Sequence, residues 1–211
     1  MSGCFISLEG VEGVGKSTNL NFIADWFKLR AVDVVLSREP GGTELAEAIR
    51  TLLLAPRAEA MTADTELLLV FAARAQHVAA KIRPALALGQ TVISDRFVDA
   101  TYAYQGFGRG LPLATIESLH QLILNNYLPD LTIYLDLDVA TGLARARQRG
   151  ELDRFEQETA AFFERVRAGY LARVQQDPKR FAVIDASLPL EQVQANIAAA
   201  LEHFFKLTPS G

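Results

Sequence analysis

The stretch Gly10-Val11-Glu12-Gly13-Val14-Gly15-Lys16-Ser17-Thr18 constrains this chain more than any other. It fits the pattern G-x-x-x-x-G-K-[ST] and follows an apolar run, Cys4 to Leu8, that reads as a buried strand. Behind it, Leu20, Phe22, Ile23, Trp26, Phe27 and Leu29 recur at helical spacing and predict an amphipathic helix over about 17–30. Strand, glycine-rich turn and helix in that order make a phosphate-binding loop. The glycines let successive backbone N–H groups turn inward on a phosphate, and the amino end of the helix faces it. Lys16 can reach the outer phosphates, and the Ser17 hydroxyl can ligate a magnesium ion.

The remainder alternates strands with helices. Val34-Val35-Leu36 is a second strand, closed by Ser37-Arg38-Glu39-Pro40-Gly41-Gly42-Thr43, whose Pro-Gly-Gly demands a turn. Thr43 caps a helix over 44–54. Residues 62–88, rich in Ala and Leu, predict a long helix that Pro84 kinks or ends near Arg83. Thr91-Val92-Ile93-Ser94 is a third strand delivering Asp95-Arg96, Leu131 to Leu137 a fourth, and Phe181 to Asp185 a fifth. Helices are expected over 113–127, 139–149, 155–174 and 190–205. Right-handed crossovers then give a parallel sheet covered on both faces, an α/β fold of the P-loop NTPase type with the first strand central.

A chain of 211 residues, half of them apolar, supports one domain. Its net charge of -4 supplies no global positive field for nucleic acid or an anionic membrane, so any anion must be bound by a local cluster. Cys4 is the only cysteine, which excludes an internal disulfide and a Cys-based zinc site and leaves a small core residue. Met1 to Gly10 carries no cleavable apolar leader and no run approaches a membrane span, so a cytosolic protein is expected.

Several side chains are candidates for chemistry. Asp95 at a strand's carboxyl end can hold the hydration shell of magnesium or act near the attacking oxygen, and Arg96 can neutralise a phosphate. Val70, Phe71 and Arg74 share a helix face, with Gln76 and His77 on the following turn. A ring beside a guanidinium suits a flat heterocycle, whereas His77 reads as a partly buried helix residue rather than a ligand or base. Thr101, Tyr102, Tyr104 and Gln105 precede Gly106-Phe107-Gly108-Arg109-Gly110, a composition that suits a pocket wall more than a core. Asp136 and Asp138 read as strand-end and helix-cap residues in preference to a second metal site. Arg145, Arg147, Arg149 and Arg154, interrupted by Gly150, make an arm over about 145–156 that can close over phosphates.

Three readings remain on these grounds: a small-molecule kinase, a GTP-dependent switch, or a nucleotide-binding module without transfer chemistry. The switch is weakened because none of the five lysines stands in an Asn/Thr-Lys-x-Asp motif. The acceptor pocket a kinase needs has candidates in Phe71, Arg74, Thr101, Tyr104 and Gln105.

Nearly the whole chain resembles the thymidylate kinases of the bacterial type. The resemblance rests on the phosphate loop, Arg38-Glu39-Pro40-Gly41-Gly42-Thr43, Phe71-Ala72-Ala73-Arg74-Ala75-Gln76, Asp95-Arg96-Phe97 and Tyr104-Gln105-Gly106. It implies transfer of the γ-phosphoryl group of ATP to thymidine monophosphate (dTMP) with Mg2+, by a homodimer. It implies that Gly10 to Thr18 hold the ATP phosphates, that Glu12 contacts the sugar 3′-hydroxyl, and that Arg74 bonds a thymine carbonyl. Arg38 and Arg96 would hold the acceptor phosphate. Thr101, Tyr104 and Gln105 would line the base and sugar, with Tyr104 disfavouring a ribose 2′-hydroxyl, and Pro40 lies on the acceptor side. Val70 stands where relatives place the thymine-stacking Phe and Phe71 comes one position late, so both stay candidates for covering the base. Lys16, Asp95 and Arg96 form the catalytic set with an arginine from the arm. Relatives carry that arginine either in the loop or in the lid, and this loop has none, so Arg149 is the first candidate and Arg154 the second. Another nucleoside monophosphate kinase is the runner-up.

Overall fold

The computed structural model describes residues 3–56, 58–148, 154, 155 and 157–207. Five strands, β1 (Phe5–Glu9), β2 (Val34–Arg38), β3 (Thr91–Asp95), β4 (Leu131–Asp136) and β5 (Phe181–Asp185), form one sheet in the order β2-β3-β1-β4-β5. Every pairing is parallel. All five residues of β1 are buried, as an apolar central strand requires when helices cover both faces of the sheet. Cys4, Ile6 and Leu8 point into one core with Ile23, Phe27, Ile197 and Leu201. Phe5, one step out of phase, points into the other with Phe71, Val92 and Ile116, as a period of two dictates.

The helices are α1 (Lys16–Lys28), α2 (Glu44–Leu54), α3 (Ala63–His77), α4 (Arg83–Ala87), α5 (Val98–Thr101), α6 (Leu113–Leu124), α7 (Val139–Arg147), α8 (Ala160–Gln176) and α9 (Leu190–Leu207). Thr43, Thr62, Asp138 and Thr159 cap α2, α3, α7 and α8 by accepting from the N–H three residues on. Thr159 starts α8 later than the periodicity suggests. Asp138 is the cap expected of it, and Asp136 at the end of β4 is paired with Arg167 at 2.7 Å.

The long helix after Thr62 departs from expectation in an informative way. Regular α geometry stops at His77, five residues of π-helix (Val78–Ile82) follow, and only then comes Pro84 in the first turn of α4. The wider turn meets proline's missing N–H without ending the helical path. A second π-helical stretch, Tyr102–Gly108, continues α5. Its residues serve core and pocket together, because Tyr102 and Ala103 enter the two cores while Tyr104 and Gln105 also line a cavity.

α5 is anchored by a buried charge cluster. Asp99, fully buried, accepts from Arg173 of α8 at 2.8 Å and from Arg180 at 2.7 Å. Burial opposes the Asp99 charge, but the two guanidiniums overcome it and hold its pKa down. Among the described residues no helix is long and apolar enough to cross a membrane.

Candidate active site

The phosphate loop lies at the carboxyl end of β1. Gly13 has φ +76°, and a Cβ there would stand 1.9 Å from the Gly142 carbonyl, so loop and α7 meet backbone to backbone. Val11 and Val14 are buried in the core, which fastens the loop to the sheet and leaves its backbone to face a ligand. α1 starts after Gly15 with no side-chain cap, so its first N–H groups belong to the loop's concave side. Ser17 and Thr18 are exposed there. Lys16 folds back to donate to the Gly10 carbonyl at 3.2 Å and the Val11 carbonyl at 3.0 Å. Burial, then the nearby Arg96, push its pKa down.

One cavity opens beside the loop, lined by Glu12, Pro40, Val70, Arg74, Arg96, Thr101, Tyr104 and Gln105 among others. Arg96 takes φ +69° at the end of β3, a conformation a non-glycine residue adopts only when its surroundings enforce it. Its N–H donates to the Leu8 carbonyl at 3.0 Å, and its Nη2 donates to Glu12 at 2.5 Å and to the Tyr104 hydroxyl at 2.8 Å. Burial alone would raise the Glu12 carboxyl, but Arg96 and Lys16 outweigh it and hold the pKa at about 2. Tyr104 in turn donates to Glu12 at 3.2 Å, so one triangle of side chains joins loop to cavity.

Arg74 is only 2% exposed. Its Nε donates to Glu39 at 2.6 Å and its Nη2 to the Phe97 carbonyl at 3.2 Å, while Nη1 is buried with no partner among the described residues. The Thr101 hydroxyl and the Arg96 Nε are likewise buried and unpartnered. Such groups cost free energy unless something pairs with them, and all three belong to residues lining this cavity. Gln105 donates to the buried Glu66 at 2.9 Å. Of the two candidates for covering a base, Val70 lines the cavity, whereas Phe71 lies in the core cluster with Leu67 and Phe97 and not in the cavity wall.

A second, more open cavity adjoins the first turn of α1 and is lined by Ser17, Arg38, Glu47, Lys81 and Asp95 among others. Arg38 and Asp95 are register partners on β2 and β3. Arg38 is held by Glu47 through two bonds, at 3.1 and 2.8 Å, so it lines this cavity and not the one Arg96 lines. Asp95 Oδ1 is buried with no partner among the described residues. A spare carboxylate oxygen and the Ser17 hydroxyl in one cavity are hard oxygen donors suited to magnesium. Among the described residues no cluster of three or more His, Cys, Asp or Glu occurs, so such an ion would complete its shell with water and phosphate oxygens.

In the expected arm, Arg145 donates to the Ala186 carbonyl at 3.3 Å. Arg154 pairs with Glu66 at 2.6 Å and donates to the Leu53 carbonyl at 2.7 Å, so its partners sit on α2 and α3 and not on the phosphate loop. Arg149, the first candidate for the transferring group, lies outside the described residues.

Residues 8–197 match the family model described as thymidylate kinase. The chain belongs to the thymidylate kinase family. It is 59% identical over 204 residues to a thymidylate kinase of Teredinibacter turnerae, covering 97% of this chain and 100% of that one. It is 60% identical over 201 residues to one from Pseudomonas putida, covering 95% and 96%. Among solved structures it resembles a thymidylate kinase from Ehrlichia chaffeensis with a TM-score of 0.78 and 32% identity, over 96% of this chain and 100% of that one.

Two carboxylates escaped sequence reasoning, Glu39 in the cavity wall and Glu66 behind Gln105. Glu39 stands inside the quoted Arg38 to Thr43 stretch, yet its position suggested only a turn. Glu66 accepts from Gln105 and Arg109 and pairs with Arg154 while 1% exposed. A signal existed: Glu66, Val70, Arg74 and His77 fall on one helical face, and a charged residue on the buried face of an Ala/Leu-rich helix requires a partner. His77 is fully buried rather than partly so.

Proposed function

We propose that the cavity beside Arg74 receives dTMP, that the loop and α1 receive ATP, and that the γ-phosphoryl group crosses between them to give thymidine diphosphate and ADP. ATP-dependent phosphorylation of dTMP is the activity of the family to which the chain belongs. The observation that carries the assignment of the two sides is the set of unpartnered polar atoms, Arg74 Nη1, Arg96 Nε and Thr101 Oγ1, around one cavity that Glu12 joins to the loop.

Each residue then has a task. The loop backbone from Gly10 to Thr18 cradles the donor phosphates, and Lys16 leaves the Gly10 and Val11 carbonyls to reach the outer ones. Arg74 Nη1 meets a base carbonyl, Val70 and Pro40 bound the base, and Thr101 and Gln105 complete its edge. Glu12 meets the sugar hydroxyl, while Tyr104 narrows the sugar side. Arg96 holds the acceptor phosphate, and Arg38 approaches it from the neighbouring cavity by exchanging Glu47 for phosphate. Ser17 and Asp95 hold magnesium, which when bound neutralises and orients the donor phosphates. Catalysis here is positioning and charge stabilisation, and no protein nucleophile is needed. The arm over 145–156 excludes water and supplies the arginine for the transferring group, with Arg149 its source and Arg154 anchoring the arm's far end through Glu66.

The whole acts as one domain in the cytoplasm, without a nucleic-acid partner, and as a homodimer. Exposed Leu45 and Leu52 on α2 and Leu68 on the packed neighbour α3 support an apolar contact face. A coupled assay of acceptor-dependent ADP release over the common nucleoside monophosphates tests the reading. Release is expected with dTMP far above the others, and Arg74→Ala should raise the dTMP KM much more than the ATP KM. Equal release with every acceptor would refute the assignment of the cavity.

A further inference from the structure

Behind Arg74 lies a buried chain of hydrogen bonds. His77 Nε2 is 2.6 Å from the Ser37 hydroxyl, and Nδ1 is 2.9 Å from Glu39 Oε1. Glu39 Oε2 accepts from Arg74 Nε at 2.6 Å. A carboxylate can only accept, so Nδ1 carries the proton toward Glu39, and the Ser37 hydroxyl serves either role toward Nε2. Serine, imidazole and carboxylate in this order match the groups of a nucleophilic triad, but the site is closed. Ser37 is 8% exposed and His77 0%. Gly42, at φ +87°, lies over them so closely that a Cβ would stand 2.5 Å from the Ser37 hydroxyl and 2.6 Å from the imidazole ring. The chain of bonds therefore runs the other way, toward Arg74.

A guanidinium is planar, so fixing Nε on Glu39 and Nη2 on the Phe97 carbonyl fixes where Nη1 points. We propose that His77 is a positioning residue for acceptor recognition: pinned by Ser37 on one ring nitrogen, it occupies Glu39 Oε1 with the other and thereby leaves Arg74 Nη2 on the Phe97 carbonyl, with Nη1 aimed at the cavity. The proposal rests on the reading of that cavity as the dTMP site. Without the Nδ1 proton, Oε1 would be a buried acceptor lacking that partner, and Arg74 Nη2, on the same edge of the guanidinium as Nε, is a donor it could take. A carboxylate turned to grip the guanidinium side-on would draw Nη2 off the Phe97 carbonyl and turn the plane that aims Nη1.

The test compares steady-state kinetics of wild type, H77N, H77Q, R74A and the R74A/H77Q double variant. Asparagine can place its amide N–H on the Nδ1 side, toward Glu39, whereas glutamine reaches the Ser37 side and leaves Glu39 short of a donor. H77Q should raise the dTMP KM about tenfold with kcat and the ATP KM far less affected, and H77N should stay within about threefold of wild type. On the R74A background the glutamine should add nothing to the acceptor KM, since both changes remove one interaction. Equal acceptor KM for H77N and H77Q, or a glutamine effect that multiplies with that of R74A, overturns the relay. An unchanged acceptor KM in R74A alone overturns the reading of the cavity, and the relay with it. Should H77Q fail to melt cooperatively, S37A replaces it: a dTMP KM raised about threefold at unchanged kcat supports the relay, and an unchanged KM overturns it.

Discussion

The phosphate loop is made by residues adjacent in sequence, through backbone, with Val11 and Val14 in the core and Lys16 turned back on the loop itself. The cavity next to it is made by Glu39, Arg74, Arg96, Thr101 and Gln105, with Glu66 behind Gln105, from separate elements and through side chains whose partners come from elsewhere in the fold. A backbone site separates binding from stability. A side-chain site does not, because each group that recognises the ligand is also a buried charge or hydroxyl whose partner is part of the fold. Lys16 sharpens that contrast most. Lys16→Met removes the cation that reaches the outer phosphates, so turnover should fall by about 10²–10³-fold. The melting temperature should not fall, since burial already works against the lysine's charge. A melting temperature that drops with the activity would break the distinction between the two regions.

On the cavity side the two quantities should move together. Glu66→Ala deprives Gln105, Arg109 and Arg154 of a shared carboxylate, and among the described residues Arg109 keeps its pair with Glu158. A loss of about 3 kcal/mol is expected from leaving partly buried guanidiniums unpaired, together with a raised dTMP KM because Gln105 is no longer held. Urea unfolding and acceptor kinetics on the same preparation check both. A raised KM at unchanged stability would make this cavity behave like the loop.

The same contrast decides what could be read in advance. Strand, loop and α1 were legible because each rests on spacing within a few residues, and a parallel sheet with β1 inside it follows from connection rules applied to five apolar runs, although its strand order does not. The inner faces of the cavity were not, because Glu39 meets Arg74 and His77 across 35 and 38 residues of sequence, distances at which a pattern carries no pairing information. Phe71 shows the limit at single-residue scale. An aromatic one position from Val70 on α3 is turned by about 100° around the helix axis, which takes it from the cavity wall into the core. Pro84 shows it for the backbone, since proline signals an interruption but not that a π-helical stretch absorbs it six residues earlier at Val78.

Glu12 belongs to both regions and gives the next test. Its carboxyl is held at about 2 in the folded protein against an ordinary value of 4.5. A depressed acid contributes stability that is complete above the unfolded value and is lost as pH falls from about 4.5 to about 2, on the order of 3 kcal/mol in all. Denaturant unfolding across that window should show a steep fall for wild type and a shallower one for Glu12→Gln. Parallel slopes would mean that the pair with Arg96 does not couple loop to cavity.

The smallest expected effect is also the one in which stability and binding part company inside the cavity. Thr101 is 1% exposed on α5 and its hydroxyl has no partner, so in the free protein that hydroxyl has given up water for nothing. Thr101→Val replaces it by a methyl group of nearly the same shape. Removing an unpaired buried hydroxyl should stabilise the protein by up to about 1 kcal/mol, a rise of roughly 2–4 °C in melting temperature for a chain of this size. If the hydroxyl is kept for the acceptor, the same change should raise the dTMP KM about fivefold, the worth of one neutral hydrogen bond. Calorimetry with and without dTMP separates the two, because the variant should melt above wild type when free and gain less on adding the nucleotide. A variant that melts lower when free would show that the hydroxyl is paired within the protein after all, and would move Thr101 from recognition to structure.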